Sequence, residues 1–380
     1  MKTLKAFFIA ITFVFLASGC KQITKVTDVI TQPSPREIYA RDFKEDTVRF
    51  NRWQRAFDVA KRDSVSIKVP YVESGRFNDR YLDTRGYTLH LEQGEIFHVE
   101  IGFKVSGIPI FLDLLQVGAD TLREPKVIAQ NELYTTRFDH TVKKTGDYKL
   151  IVQPGIGAQG AYNLKVYRTP LFRFPVAGKG NAAIQSFWGA RRDGGRRSHE
   201  GLDIFADRGT PVIAATDGWI SSTGNRGLGG KQVWLRAGLF GNSLYYAHLD
   251  SIATQSGKHV KTGDTLGFVG NTGNARTTPT HLHFGIYQGR GGAINPLPYV
   301  FEGTAPLVND RDTEIPVRGV VKAARANLRA SAFAKAIKLG TINRNDTLSI
   351  LGQSQNWLHI RTKERKAAFI YESLIETIGQ

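Results

Sequence analysis

The sequence predicts a mainly β, multidomain protein with one short helical segment near its start. Three observations carry that reading. Short runs rich in aromatic and β-branched residues recur from residue 64 to the end, each bounded by Gly, Asn, Asp, Pro or Thr turn signals. Helical spacing is confined to one stretch, where Phe50, Trp53, Phe57 and Ala60 fall on a common face. At 380 residues, with 41% hydrophobic and 22% charged, the chain has room for two or three domains and the composition of an ordinary globular protein.

Residues 1–19 carry Lys2 and Lys5, then an apolar run from Ala6 to Ala17, the pattern of a secretory signal too short for a comfortable membrane span. Ala17-Ser18-Gly19-Cys20 resembles a bacterial lipobox, which implies cleavage before Cys20, acylation of its thiol and a lipid anchor in the membrane. Lys21 after that cysteine implies an outer-membrane destination facing the periplasm under the enterobacterial sorting rule. A single cysteine excludes a disulfide framework. Residues 20–33 form a polar tether. In residues 34–63, Ser34-Pro35-Arg36-Glu37 combines a capping box with Pro at the first helical position, so a helical segment with a break is expected over about 35–62.

Residues 64–169 turn to strands: Tyr87–Leu91, Phe97–Ile101, Ile110–Leu112, Tyr148–Val152 and Tyr162–Val166. Their regular spacing predicts a β-sandwich. The Gly146-Asp147-Tyr148…Gly160-Ala161-Tyr162 run resembles the pre-peptidase C-terminal type of sandwich. His90, His98 and His140 lack partner spacing and are read as structural.

Residues 170–303 hold the chemistry, in three pieces. Ser198–Phe205, Tyr245–Leu249 and Thr280–Ile286 each read as a strand, and on a strand residues two and four apart share a face. His199 and Asp203 then point one way and Glu200 the other, while His281 and His283 also share a face. Two imidazoles and a carboxylate from separate strands can converge on one ion, with further imidazoles beside it. That ligand set suits Zn²⁺, and three protein ligands leave a fourth position for water. A zincin helix is excluded: position 203 is Asp rather than His, and Gly201-Leu202-Asp203-Ile204-Phe205 is poor helix.

His199-x-x-x-Asp203, Tyr246-x-His248-Leu249 and His281-x-His283 together resemble the motifs of the lysostaphin-type zinc metalloendopeptidases, which cut peptidoglycan cross-bridges. The resemblance implies that His199, Asp203 and His283 ligate zinc, that His248 and His281 handle protons, and that the substrate is the peptidoglycan stem peptide. Gly209–Ala215 and Gly263–Gly270 look like the strand-turn repeats of that family's lipoyl-like β-barrel core. Ala190–Arg197 is a basic loop directly before His199, and its arginines suit the carboxylates of a stem peptide. His259, in a polar turn, is read as solvated.

Residues 304–316 read as a linker. Residues 317–380 resemble a bacterial Src-homology-3-like domain, a small barrel that in such enzymes holds wall peptide, although Ser331-Ala332-Phe333-Ala334 and Ala368-Phe369 depart from its usual loops. Residues 316–380 carry eleven basic and four acidic side chains, a +7 excess. The whole chain is formally +17, which points to a polyanionic neighbour. Nucleic acid is excluded by the secretory signal and by the lack of an aromatic-basic stacking motif. The rival reading is a catalytically silent wall-binding activator of another peptidoglycan hydrolase, but relatives of that kind usually lack ligands and this chain has all of them.

Overall fold

The computed structural model describes residues 28, 31–78, 84–103, 107–118, 124–238, 241–307 and 315–378. Cys20, the signal and most of the tether lie outside the described residues. The fold is mainly β, as expected, and no described helix is long and apolar enough to cross a membrane.

The helical segment forms where its caps dictate. Pro35–Ala40 is opened by a reciprocal capping box, in which the Ser34 N–H donates to the Glu37 carboxylate at 2.7 Å and Ser34 Oγ accepts from the Glu37 N–H. A short turn, Arg41–Phe43, breaks it, and Asp46 caps the second helix, Thr47–Lys61. Trp53 is the buried anchor. Its ring packs on Tyr39 and Phe111, and its Nε1 donates to the Pro154 carbonyl at 2.8 Å. The aromatic stripe is therefore spent on the neighbouring sheet.

That sheet has four strands in the order Arg85–Leu91, Gly146–Pro154, Ile110–Gln116 and Lys126–Gln130. A second sheet carries Tyr71–Phe77, Gly160–Pro170, Glu95–Phe103 and Arg137–Thr141 as successive neighbours. Leu89, Leu112 and Leu150 from the first share one core with Phe77, Val99 and Leu164 from the second. His90 and His98 face carboxylates within this unit, Asp147 at 2.9 Å and Asp139 at 2.6 Å.

The C-terminal strands have a core of their own, with Val321, Leu328, Ile350, Ile360 and Ile375 in it, and they also join the sandwich. Thr347–Ser354 pairs antiparallel with Tyr71–Phe77, Ser74 opposite Gln353 and Gly75 opposite Gly352, so one eleven-stranded sheet runs through both regions. The two backbones meet so closely that a Cβ at Gly75 would lie 2.5 Å from the Leu351 carbonyl. Beside this pairing sits Glu73, fully buried. Its carboxylate accepts from the hydroxyls of Tyr71, Tyr87 and Tyr162 at 2.6, 2.7 and 2.6 Å and faces His359 Nδ1 at 3.0 Å. Arg85 Nη2 donates across to the Leu351 carbonyl at 2.7 Å, and Arg361 pairs with Asp63 at 2.9 Å. A cut after Glu302 would strip these partners away.

Residues 172–300 build another core. Gly218–Arg226, Gly230–Arg236, Ser243–Leu249, His281–Gln288 and Leu202–Phe205 are consecutive neighbours in an eight-stranded sheet. The barrel expected here takes the form of that sheet and a three-stranded one, Pro211–Ile213, Thr265–Phe268 and Ser251–Ile252, sharing one core. Tyr299 joins this unit to the sandwich: its carbonyl accepts from the Phe172 N–H at 2.8 Å, and its ring occupies the space a side chain at Gly94 would need.

Burial alone would raise the Glu73 carboxyl, but His359 and the hydroxyls of Tyr162 and Tyr71 outweigh it and hold it at about 2. A depressed carboxyl contributes stability above its unfolded value of 4.5 that is lost as pH falls towards the folded one. Glu73→Gln should therefore cost about 3 kcal/mol at neutral pH. The gap between wild type and variant should close as pH drops through that window, measured by urea unfolding. A gap independent of pH would mean Glu73 is not the anionic centre of the seam.

Candidate metal centre

Strand pairing sets the site. In Leu202–Phe205, Leu202 and Ile204 enter the core, which leaves Asp203 on the opposite face. The antiparallel register places Asp203 directly opposite His283 and Phe205 opposite His281. On the other flank of that strand, Ala247 lies opposite His283, which brings His248 alongside.

His199 precedes the strand rather than lying in it. The extended segment expected over Ser198–Phe205 is interrupted at 199–201, and the strand begins at Leu202. His199 is fixed instead by the loop before it. Its N–H donates to the Ala190 carbonyl at 2.9 Å, and its Nδ1 faces the Phe187 carbonyl at 2.9 Å. With Nδ1–H so engaged, Nε2 carries the lone pair, 3.0 Å from Asp203 Oδ1 and 3.1 Å from His283 Nδ1. His283 Nδ1 to Asp203 Oδ1 closes the triangle at 3.0 Å. Among the described residues, His199, Asp203 and His283 are the group that could hold a metal ion. Because alternation does not reach residue 200, Glu200 is not turned behind the sheet as expected. It is exposed on the cleft lining, where the Tyr287 hydroxyl approaches it at 3.5 Å.

His248 reaches the site through a backbone irregularity. Two residues, Ala247 and His248, stand against the single Gln232 between the pairs Val233–Tyr246 and Lys231–Leu249, a bulge. His248 has φ of 64°, a left-handed conformation uncommon outside glycine. In a regular strand His248 would share a face with Tyr246, which is buried in the core. The bulge turns it out into the cleft. Its Nδ1 faces the Thr272 carbonyl at 2.9 Å, and His281 Nδ1 faces the Pro279 carbonyl at 2.8 Å. Both rings thus keep Nε2 for the cleft, with centroids 5.1 Å apart. His281 Nε2 is 3.9 Å from Asp203 Oδ1.

The electrostatics suit ligation. Burial would raise the Asp203 carboxyl, but the imidazoles of His199 and His283 beside it outweigh burial and hold it below the usual carboxylate range. Burial lowers His283, with Asp203 opposing, and lowers His248 to about 4 with help from His283 and His281. Neutral imidazoles beside an ionised carboxylate are the protonation states that a metal requires.

Arg192 is the residue that sequence reasoning missed. Its Nη2 donates to Asp203 Oδ2 and to Ser186 Oγ, both at 2.6 Å. That leaves Oδ1 as the oxygen facing the two imidazoles. It was visible only as one arginine in a basic run, and the hairpin that pairs Arg191 with Ser198 and Arg192 with Arg197 carries it to the site. The cleft is about 1030 Å³ and is walled by the hairpin, the 226–229 turn and the rings of Trp234, Tyr245 and Tyr287.

The family model described as "Peptidase family M23" matches residues 197–296, the segment that holds all five of these histidine and aspartate residues. Among curated relatives, the L-Ala–D-Glu endopeptidase of Bacillus subtilis is 35% identical over 138 residues, 33% of this chain and 42% of that protein. The DD-carboxypeptidase/endopeptidase Mpg of Neisseria meningitidis is 41% identical over 103 residues, 27% of this chain and 22% of that protein. The murein hydrolase activator NlpD of Escherichia coli is 34% identical over 140 residues, 35% of this chain and 32% of that protein. The chain thus spans less than half the length of each of these relatives.

Proposed function

We propose that this chain, which carries a peptidase family M23 domain over residues 197–296, is a zinc-dependent endopeptidase that hydrolyses peptide cross-links of bacterial peptidoglycan. One observation carries the reading: three ligand atoms of suitable type form a triangle with edges of 3.0, 3.0 and 3.1 Å. A tetrahedral zinc with bonds of about 2.0 Å has ligand–ligand edges of about 3.3 Å, so the residues fit the ion. His199, Asp203 and His283 would hold it. Bound there, zinc would polarise the scissile carbonyl and lower the pKa of a water to about 7.

The chain's own residues supply the rest. His248 and His281 each present an Nε2 lone pair to the cleft and are each oriented by a carbonyl on Nδ1. Either ring can take the proton of the attacking water and return it to the leaving amine. Once protonated, the same N–H can donate to the developing oxyanion, a contribution of about 3 kcal/mol per donor. Phe205 stacks on His281 with centroids 5.1 Å apart and limits the ring's motion.

The site reading separates ligands from proton handlers. Alanine at His199, Asp203 or His283 should abolish both zinc retention and activity. Alanine at His248 or His281 should keep close to one zinc per chain while losing about 100-fold or more in rate. Metal analysis and turnover on purified sacculi, with mass spectrometry of the fragments, would check both halves and name the cleaved bond. Zinc-free active protein would overturn the reading.

The similarity to NlpD favours a second reading, a catalytically silent activator of another hydrolase. The full ligand set and the two further imidazoles weigh against it. A zinc-replete wild type that cleaves nothing but stimulates an added amidase would establish that alternative.

The site of action we infer is the cell envelope, with the protein held by acyl chains on Cys20, in the outer membrane facing the periplasm. The sequence around Cys20 supports this. Cys20→Ala should release exported, soluble protein, whereas retention in washed membranes would place the anchor elsewhere.

A further inference from the structure

The two oxygens of Asp203 have different surroundings. Oδ1 faces the imidazoles, 3.0 Å from His199 Nε2 and 3.0 Å from His283 Nδ1. Oδ2 accepts from Arg192 Nη2 at 2.6 Å. The same Nη2 donates to Ser186 Oγ at 2.6 Å, and Ser186, on the strand Ile184–Ser186, is the cross-strand partner of Asp203. Ser186 Oγ in turn lies 3.4 Å from His199 Nδ1. Arg192 is thus held both by the acid it touches and by that acid's neighbour in the sheet. The hairpin that pairs Arg192 with Arg197 runs on directly into His199. One loop therefore delivers one candidate ligand and the hydrogen bond that restrains another.

A carboxylate can bind a metal through one oxygen or through both. Binding through both would take up the position that a hydrolytic site keeps for water. A short, charge-assisted hydrogen bond on Oδ2 opposes that, because the oxygen would have to give up the guanidinium to reach the ion. We propose that Arg192 is a positioning residue that holds Asp203 to a single metal-binding oxygen, Oδ1, and so keeps a coordination position open. Ser186 fixes where the guanidinium sits. Arg192 acts through Asp203 and in this role needs no contact with substrate. This proposal rests on the metal reading of the site given above and specifies how its coordination number is set.

The test reads the metal rather than turnover. Zinc affinity of the full chain is measured by competition with a chelator, and coordination number from the visible absorption of the cobalt-substituted protein. Wild type should show the intense bands of four-coordinate cobalt. Arg192→Gln should weaken zinc binding about 10- to 100-fold and shift the spectrum to the weaker bands of five-coordinate cobalt. Ser186→Ala, which frees the guanidinium from its second acceptor, should move both readings the same way by less, and it decides the matter if Arg192→Gln does not fold. Arg52→Gln makes the same charge change at an exposed helix position and should alter neither reading. Variants with wild-type affinity and a four-coordinate spectrum would overturn the proposal. So would weakened binding with an unchanged spectrum, the result of a merely structural role. A wild type that binds neither metal would sink the metal reading and this proposal with it, whereas a metal-replete wild type that cleaves nothing would sink the endopeptidase reading alone.

Discussion

The site depends on one register: Asp203 stands opposite His283 across two antiparallel strands. Because side chains alternate with a period of two, a slip of one residue would drive Asp203 into the core and bring Leu202 or Ile204 out. The apolar faces of the same strands forbid that slip, since Leu202, Ile204, Leu282 and Phe284 are all fully buried. The chemistry is thus held in place by the hydrophobic pattern next to it. Gly201 belongs to the same constraint. A Cβ there would lie 2.7 Å from both the His283 ring and the Phe284 carbonyl, so the chain can pass His283 only without a side chain.

Around that register, three of the four site histidines are aimed by a carbonyl, each from a different loop: Phe187 for His199, Thr272 for His248 and Pro279 for His281. These acceptors fix tautomer and ring direction, which three strands alone could not do. The left-handed His248 and its bulge have the same character. An uncommon backbone conformation persists where neighbouring structure holds it and where it puts a side chain to use.

The sequence made the residue types and the pairing of motifs legible. The alternation of Leu202, Asp203 and Ile204, and of His281 and His283, is a period-two signal that survives in the structure. What it left dark was whatever depends on loop geometry. The strand starts at Leu202, so alternation wrongly placed Glu200 behind the sheet. Nothing in a run of four arginines marks Arg192 as the one that reaches Asp203. The seam is a case of a different kind. Glu73 and His359 are 286 residues apart, and each reads locally as a polar residue in a strand. Only the pairing of Tyr71–Phe77 with Thr347–Ser354 turns them into a buried cluster, which ties the C-terminal strands to the sandwich.

The central claim is that the triangle of His199 Nε2, Asp203 Oδ1 and His283 Nδ1 is a zinc site with a position left for water. Anomalous X-ray diffraction on crystals of the full chain, collected on both sides of the zinc edge, addresses it directly. The account predicts one anomalous peak about 2.0–2.2 Å from each of those three atoms, with His248 and His281 beyond bonding distance. A peak bonded to His248, His281 or Glu200, or a triangle with no peak in zinc-equilibrated crystals, would contradict it.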